Sequence, residues 1–461
     1  MKWYYRLFRY PEVWALALVA LFTRFWQIGQ PAAIVFDEVY FRTFASHYLD
    51  GQYFFDIHPP FVKLLLAGFG GLMGLSPEQV LTGNDDGLMR LLPAFAGAML
   101  VPLVYVIIRQ LGLGRRIAAL GGLLILLDNA LLVESRFVLM DSILLVFGMA
   151  ALSCYLAMRK ARGSWRWAWL LAAAVCLGAL VSTKWSGLAI VGFLGVAWLV
   201  EAIVNKTAWR RMVFEGGVVI AVVALMYVGS FAVHFALLQR SGPGDAFMSG
   251  DFQSTLIGGQ DYDESARMSF WDKTIELNAQ MYSSQNSLVA VEHPYSSRWY
   301  TWPIETRPVY FWQSGVGTDE SQSHIYLLGN PIIWWSTTIM VLSVFFIRTT
   351  RPELLGKWRR VTTFLLAGYA VNFLPFAFIN RPMFLYHYLF ALLFAILITC
   401  VIVSLLLDGI AKTHSKKVMI FTYWGIVVAV LVGFLYFVPI SYGWPLTPTD
   451  LARYMWLPGW R

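Results

Sequence analysis

Two adjacent carboxylates, Asp37 and Glu38, follow directly on the first strongly apolar segment of the chain. Ionisable groups at the edge of a membrane span are costly and usually functional. The stretch continues through His47, Asp50 and Asp56 to His58-Pro59-Pro60. A carboxylate in this setting can act as a general base, bind a metal, or cap a helix that begins near Val39. Other polar residues sit at the ends of later apolar segments. Arg90 opens the second, Arg136 and Asp141 flank the start of the fourth, Lys184 lies between the fifth and sixth, and Arg381, Tyr386 and His387 precede the tenth. Singly, each reads as a snorkelling or paired boundary residue. Together they place several cations around two acids. Guanidinium groups bind phosphate oxygens in pairs, so such a site suits a lipid-linked phosphate. Asp261-Tyr262-Asp263 could hold a divalent metal, but it is a short match in a Gly-, Ser- and Asp-rich stretch. His58, His293 and His387 lack metal-ligand spacing, and Cys154, Cys176 and Cys400 all lie inside apolar blocks.

The elements that must hold these groups are membrane helices. Of 461 residues, 58% are hydrophobic and 13% charged, against roughly 25% charged in soluble domains. Mean hydropathy is +0.60. Eleven apolar segments, near 12–28, 90–110, 115–133, 139–158, 167–182, 186–204, 215–239, 331–347, 360–378, 385–408 and 418–439, are each about a bilayer thick. This predicts an all-α polytopic membrane protein with two long hydrophilic connections. The expected division is 1–28 (cytoplasmic N-terminus and first span), 29–89 (external loop with the acidic pair), 90–239 (spans two to seven), 240–330 (external loop), 331–439 (spans eight to eleven) and 440–461 (external tail). The first span reads as a retained signal anchor, because its apolar run is long and many spans follow. Alternate loops carry the Lys and Arg clusters, from Lys2, Arg6 and Arg9 to Lys412, Lys416 and Lys417, which places them in the cytoplasm. The net charge of +8 is therefore a topology signal, not a nucleic-acid surface. Tyr40, Phe41, Phe44, Ala45 and Tyr48 recur at helical spacing and predict an amphipathic interfacial helix. The run from Phe61 to Leu75 is too short and glycine-broken to span. Trp299, Trp302 and their aromatic neighbours read as an interfacial belt or as a stacking surface for sugar or peptide.

The collected motifs resemble the protein O-mannosyltransferase family, polyprenyl-phosphate-mannose–protein mannosyltransferases of the GT-C class. They are Phe36-Asp37-Glu38, Phe54-Phe55-Asp56-Ile57-His58-Pro59-Pro60-Phe61-Val62-Lys63, Met89-Arg90-Leu91, Ser135-Arg136, Leu139-Met140-Asp141-Ser142, Ser182-Thr183-Lys184-Trp185-Ser186-Gly187, His293-Pro294-Tyr295-Ser296-Ser297-Arg298-Trp299 and Tyr386-His387-Tyr388-Leu389. The pieces follow family order from the first span to the tenth. The 240–330 loop is too short for the MIR domain that eukaryotic members insert there, so the chain resembles a bacterial-type member.

The resemblance implies a GT-C fold of about eleven transmembrane helices in a bacterial plasma membrane, with the active site on the external face. It implies an inverting transferase moving mannose from a polyprenyl-phosphate carrier to Ser or Thr hydroxyls of exported proteins. Asp37 is then the catalytic base, and Glu38 orients the acceptor or pairs with an arginine. Arg90, Arg136, Lys63, His58, Lys184, Tyr386, His387 and Arg381 are expected on the phosphate and carrier side. Asp56, Asp141, Arg298, Trp299 and Trp302 are expected on the acceptor or sugar side. No metal or other cofactor is expected, because a phosphate monoester leaves with less charge than a diphosphate. Expected partners are the lipid-linked sugar, an acceptor protein, the bilayer and, since eukaryotic members tend to pair, a second subunit. Two rivals remain open: a related transferase with a lipid or glycan acceptor, and a secondary transporter, against which the one-sided charge and the lack of an internal repeat both argue.

Overall fold

The computed structural model describes residues 10–287, 293–317 and 320–460. Its helices, in chain order, are α1 Pro11–Phe25, α2 Glu38–Asp50, α3 Phe61–Leu72, α4 Pro77–Thr82, α5 Leu91–Gln110, α6 Arg115–Leu126, α7 Asn129–Ser135, α8 Asp141–Lys160, α9 Ser164–Val181, α10 Leu188–Val204, α11 Trp209–Leu237, α12 Gly250–Gln253, α13 Phe270–Ser287, α14 Pro331–Thr350, α15 Arg359–Phe373, α16 Leu389–Thr413, α17 Lys416–Tyr442 and α18 Pro448–Ala452. Among the described residues nine helices, some extended by a 3₁₀ turn, are long and apolar enough to cross a bilayer. The α6–α7 pair, bent by 60°, makes a tenth crossing if it is one span. The first predicted span appears as α1, 15 residues long, and Lys2, Arg6 and Arg9 lie outside the described residues. α3 is apolar but only 12 residues long, well short of the ~20 a crossing needs.

The all-α expectation needs one amendment. Strands β1 Val309–Gln313, β2 Gln322–Leu327 and β3 Pro445–Leu446 form a small antiparallel sheet in the order β1-β2-β3. The β1 sequence Val-Tyr-Phe-Trp-Gln is aromatic and β-branched, which suits a half-buried strand. Its Phe311 stacks on Phe36 at 4.4 Å, so the sheet braces the residue before Asp37.

α16 is the hub. It packs against α6, α14, α15 and α17, and every residue from Leu389 to Ser404 is buried. A helix apolar all round belongs in the middle of a bundle. Its rings seat in glycine notches: a methyl group at Gly148 on α8 would lie 2.4 Å from Phe390, and one at Gly368 on α15 would lie 2.2 Å from Phe394. Small residues allow such close helix approach in lipid.

The loop between α1 and α2 is fixed to this bundle by ionic contacts. Glu38, the first residue of α2, is fully buried. Arg90, at the start of α5, donates from Nε to its Oε1 at 2.8 Å and from Nη2 to its Oε2 at 2.7 Å. The backbone N–H groups of Val35 and Val138 donate to the same carboxylate at 2.9 and 2.8 Å. Arg90 also donates to the carbonyls of Ile28, Pro31 and Ala33. Arg42 joins from α2, 3.7 Å from Glu38, and pairs with Asp85 at 2.9 Å. Removing one member of such a pair leaves a buried charge uncompensated, at roughly 3–5 kcal/mol. Arg90→Met should therefore destabilise the detergent-solubilised protein by about that amount in thermal or chemical unfolding. The double variant with Glu38→Gln should lose less than the sum of the two single losses.

Candidate active site

The turn Val35-Phe36-Asp37-Glu38 aims one carboxylate inward and leaves the other free. The Glu38 N–H closes the turn on the Val35 carbonyl at 3.0 Å. Phe36 adopts φ +50°, an uncommon conformation for a residue with a side chain, held by stacking on Phe311 and by an edge contact with Tyr386. Asp37 occupies the N-cap position of α2, yet its side chain makes no cap hydrogen bond. That disposes of the capping reading. Among the described residues nothing donates to this carboxylate. Burial, reinforced by Asp141 and opposed by Lys184, raises its pKa to about 6.

Asp37 faces a cavity of about 600 Å³. The predicted residues Asp56, His58, Asp141, Lys184, Arg381, Tyr386 and His387 line it with Asp37. They come from separate elements. Asp141 begins α8, Lys184 sits in the break after α9, and Tyr386-His387 form a 3₁₀ turn leading into α16. Lys184 donates to Asp141 Oδ1 at 3.1 Å and lies over the Tyr386 ring at 5.4 Å. Burial, with Lys184 and Lys63 nearby, pushes His58 well below its ordinary pKa, so its ring is neutral. Its Nδ1 is buried without a partner. The remaining wall is largely aromatic, including Tyr40, Phe41, Phe44, Phe55 and Phe247.

Several predicted site residues do not reach this cavity. Glu38 spends all its acceptor capacity on Arg90 and two backbone N–H groups, as the arginine-pairing expectation anticipates, so it is a positioning residue. Arg90 is correspondingly turned into the protein rather than toward a phosphate. Arg136 is buried and donates to the carbonyls of Thr23, Arg24, Trp26 and Gln27, closing the C-terminal end of α1. Free helix-end carbonyls in an apolar surrounding are a strong demand for a guanidinium. Lys63 pairs with Asp56 and the His58 carbonyl and holds the loop that carries His58. Trp302 is fully buried, donates to Ser297 Oγ at 2.9 Å, and stacks on His387, so it supports the site from behind. Arg298 and Trp299 line a second cavity.

The site is therefore less cationic than the sequence reading expects. The cations that line it are Lys184, paired with Asp141, and Arg381, and its carboxyl groups include one outside the expected set. Glu134, on α7, lines the cavity, is 2% exposed, and leaves Oε2 without a partner. The signal was present: a lone acid in an otherwise apolar run. Among the described residues no three His, Cys, Asp or Glu side chains are grouped to hold a metal ion. Asp263 is used locally, accepting from the Ser265 N–H and hydroxyl.

Comparison with known proteins gives consistent findings. A family model for dolichyl-phosphate-mannose-protein mannosyltransferase matches residues 14–239, and one for the C-terminal four-span region of protein O-mannosyltransferase matches 270–460. Protein O-mannosyltransferase 1 of Drosophila melanogaster is 36% identical over 269 residues, 53% of this chain and 30% of the fly protein. Mannosyltransferase 4 of Candida albicans is 34% identical over 266 residues, 52% of this chain and 35% of its own. The chain thus spans about a third of the length of these relatives. A solved Saccharomyces cerevisiae Pmt1-Pmt2 complex, bound to the sugar donor, shares the fold at TM-score 0.89 and 20% identity, covering 98% of this chain and 92% of that one. ArnT from Cupriavidus metallidurans, bound to undecaprenyl phosphate, is more distant at TM-score 0.54 and 16% identity, over 92% of this chain and 69% of that one. With two of its family models matching in sequence from residue 14 to residue 460, the chain belongs to the protein O-mannosyltransferase family.

Proposed function

We propose that this chain is an inverting transferase that moves mannose from a polyprenyl-phosphate carrier to Ser or Thr hydroxyls of a protein. The observation that carries this reading is the Asp37 carboxylate. It is half-buried, unengaged, raised to about 6, and directed into a cavity shared with Lys184 and Arg381. A base with a pKa just below 7 is ionised at neutral pH and still a good proton acceptor.

In the reaction, the acceptor oxygen attacks the anomeric carbon as Asp37 takes its proton. The bond to the carrier phosphate breaks on the opposite face, which inverts the centre. The phosphate departs as an anion, so no general acid is needed. Lys184 and Arg381 are the cations placed to hold its growing charge. Asp141 orients Lys184 through their ion pair. The neutral His58 can donate a hydrogen bond to the sugar or phosphate. The aromatic wall suits a sugar ring and the first units of an isoprenoid chain. No metal is required by this charge balance. The family motifs and the Asp37 site support mannose and a protein acceptor; the same frame would serve a lipid acceptor, which the assay below separates. The alternation of Lys and Arg clusters supports an external site with the C-terminal tail on the same side of the membrane, and the short 240–330 loop supports a bacterial-type member, placed in a plasma membrane. The likeness to a two-subunit complex supports a paired assembly.

The test is transfer of labelled mannose from polyprenyl-phosphate-mannose to a Ser/Thr-rich peptide by purified protein, with EDTA present. Wild type should label the peptide, and Asp37→Asn should fall by at least about 10³-fold, at the upper part of what a general base supplies. Label appearing only in a lipid fraction would replace the protein acceptor by a lipid one. Lys184→Met should lower kcat by about 10²-fold or more, from lost stabilisation of the leaving phosphate.

The raised pKa also sets a stability signature. The folded state holds the Asp37 proton more tightly than the unfolded chain does. Folding is therefore unpenalised below about pH 4 and progressively penalised as pH rises to about 6. The penalty is on the order of 2 kcal/mol, allowing for partial exposure. Asp37→Asn escapes it, so the inactive variant should melt higher than wild type at pH 7.5, with the gap closing toward pH 4.5.

A further inference from the structure

A second cavity, of about 1100 Å³, adjoins the first. The two meet at Arg381 and Pro382, which line both. Its charge is of one sign. Arg298, Arg307 and Arg381 line it, and among the described residues no carboxylate does. Arg298 and Arg307 are exposed, and neither guanidinium has a hydrogen-bond or ion-pair partner among the described residues. The acid between them in sequence, Glu305, is turned away: it is fully buried and accepts from the Gly329 N–H at 2.6 Å. Burial pushes its pKa well above the ordinary range, so it does not offset the arginines. Elsewhere in this protein the buried arginines are spent on internal partners, as Arg24, Arg42, Arg90 and Arg136 are. Arg298 and Arg307, by contrast, are exposed at the mouth of the site.

The other lining groups include the hydroxyls of Ser296, Thr301 and Thr306 and the amide of Asn380, beside Trp299, Tyr300, Ile379 and Met383. The polar part of this wall can pair with a polypeptide backbone, and the more aromatic first cavity is the better host for an isoprenoid chain. The space exceeds the roughly 300–1,000 Å³ that houses a drug-sized ligand, so it admits several residues of an extended chain. A cleft lined by one sign of charge concentrates and orients oppositely charged ligands.

We infer that the second cavity is the acceptor's channel and that Arg298 and Arg307 select polypeptide acceptors with acidic residues flanking the Ser or Thr. The inference rests on the proposed transfer to proteins. A strand lying along this channel passes Arg381 and delivers a hydroxyl to Asp37, while the carrier occupies the first cavity. Asp or Glu a few residues from the acceptor hydroxyl then meets Arg298 and Arg307.

The test compares peptides identical except for Asp or Lys flanks. For wild type at low salt, kcat/KM should be about 10-fold higher with acidic flanks, with the ratio falling toward one near 0.5 M salt. Arg298→Glu with Arg307→Glu should invert the ratio, and the Gln pair should bring it near one. Each ratio is taken within one protein, so partial loss of folded material cancels. Equal rates for both peptides with wild type, or a ratio unchanged in the Glu pair, would overturn the inference while leaving the transferase reading intact. So would a uniform rise in KM for the lipid-linked donor in the Glu pair with no change in the ratio, which would hand the cavity to the carrier. Anisotropy with fluorescent Asp- and Lys-flanked peptides carrying Ala in place of Ser and Thr supplies a readout that needs no sugar transfer. Acidic preference there, lost in the Glu pair, with no peptide labelled by mannose, would sustain the channel and sink the transfer.

Discussion

The buried pair between Glu38 and Arg90 is the constraint on which the site depends. It joins the loop between α1 and α2 to the start of α5, and through the Val138 N–H to the segment leading into α8. Ion pairs like this one rarely add much net stability over apolar packing; their value is in fixing one arrangement. Here they fix a four-residue turn. Glu38 is held by four short hydrogen bonds, so Asp37 beside it has only one direction left, and that is into the cavity. Phe36 carries the strain of the turn and is braced by the sheet through Phe311.

Two adjacent acids thus acquire opposite chemistry from their surroundings. Glu38 is fully satisfied and structural. Asp37 is unsatisfied, partly desolvated, and raised to about 6. The arginines divide in the same way. Arg136 closes the C-terminal end of α1, and Arg24, at the end of α1, donates to the carbonyls of Ile125 and Leu126 at the end of α6. In a bilayer, helix-end carbonyls have no water to turn to, so these cations are committed before any ligand arrives. That leaves Lys184 and Arg381 for the substrate side. Two cations suit a leaving group of low charge better than a cluster of five would.

Much of this was legible in the sequence, for identifiable reasons. The apolar segments were readable because bilayer thickness sets their length, and α2 because its aromatic residues keep helical spacing. Asp37, Asp141, Lys184 and Tyr386-His387 could be brought together because alternate spans return their ends to one face. What failed has equally physical causes. A sequence cannot show whether a boundary arginine points outward or back onto a helix end, so Arg90 and Arg136 were placed at a phosphate. Glu134 was passed over because it sits mid-run in an apolar stretch, which the bend between α6 and α7 converts into a cavity wall. The small sheet is not legible in the sequence because its strands are short and β1 and β2 lie in a long loop whose aromatic residues mask any alternation.

The most direct test of the account is the pH dependence of kcat/KM for sugar transfer, measured on wild type and on two neighbours of Asp37. A general base at about 6 predicts a rise through a single step near pH 6 and a plateau above it. Lys184 lowers and Asp141 raises the pKa of that group, so in Lys184→Met the step should move to higher pH and in Asp141→Asn to lower pH. A flat profile between pH 5 and 8, or a step that ignores both substitutions, would contradict the assignment of Asp37 as the base.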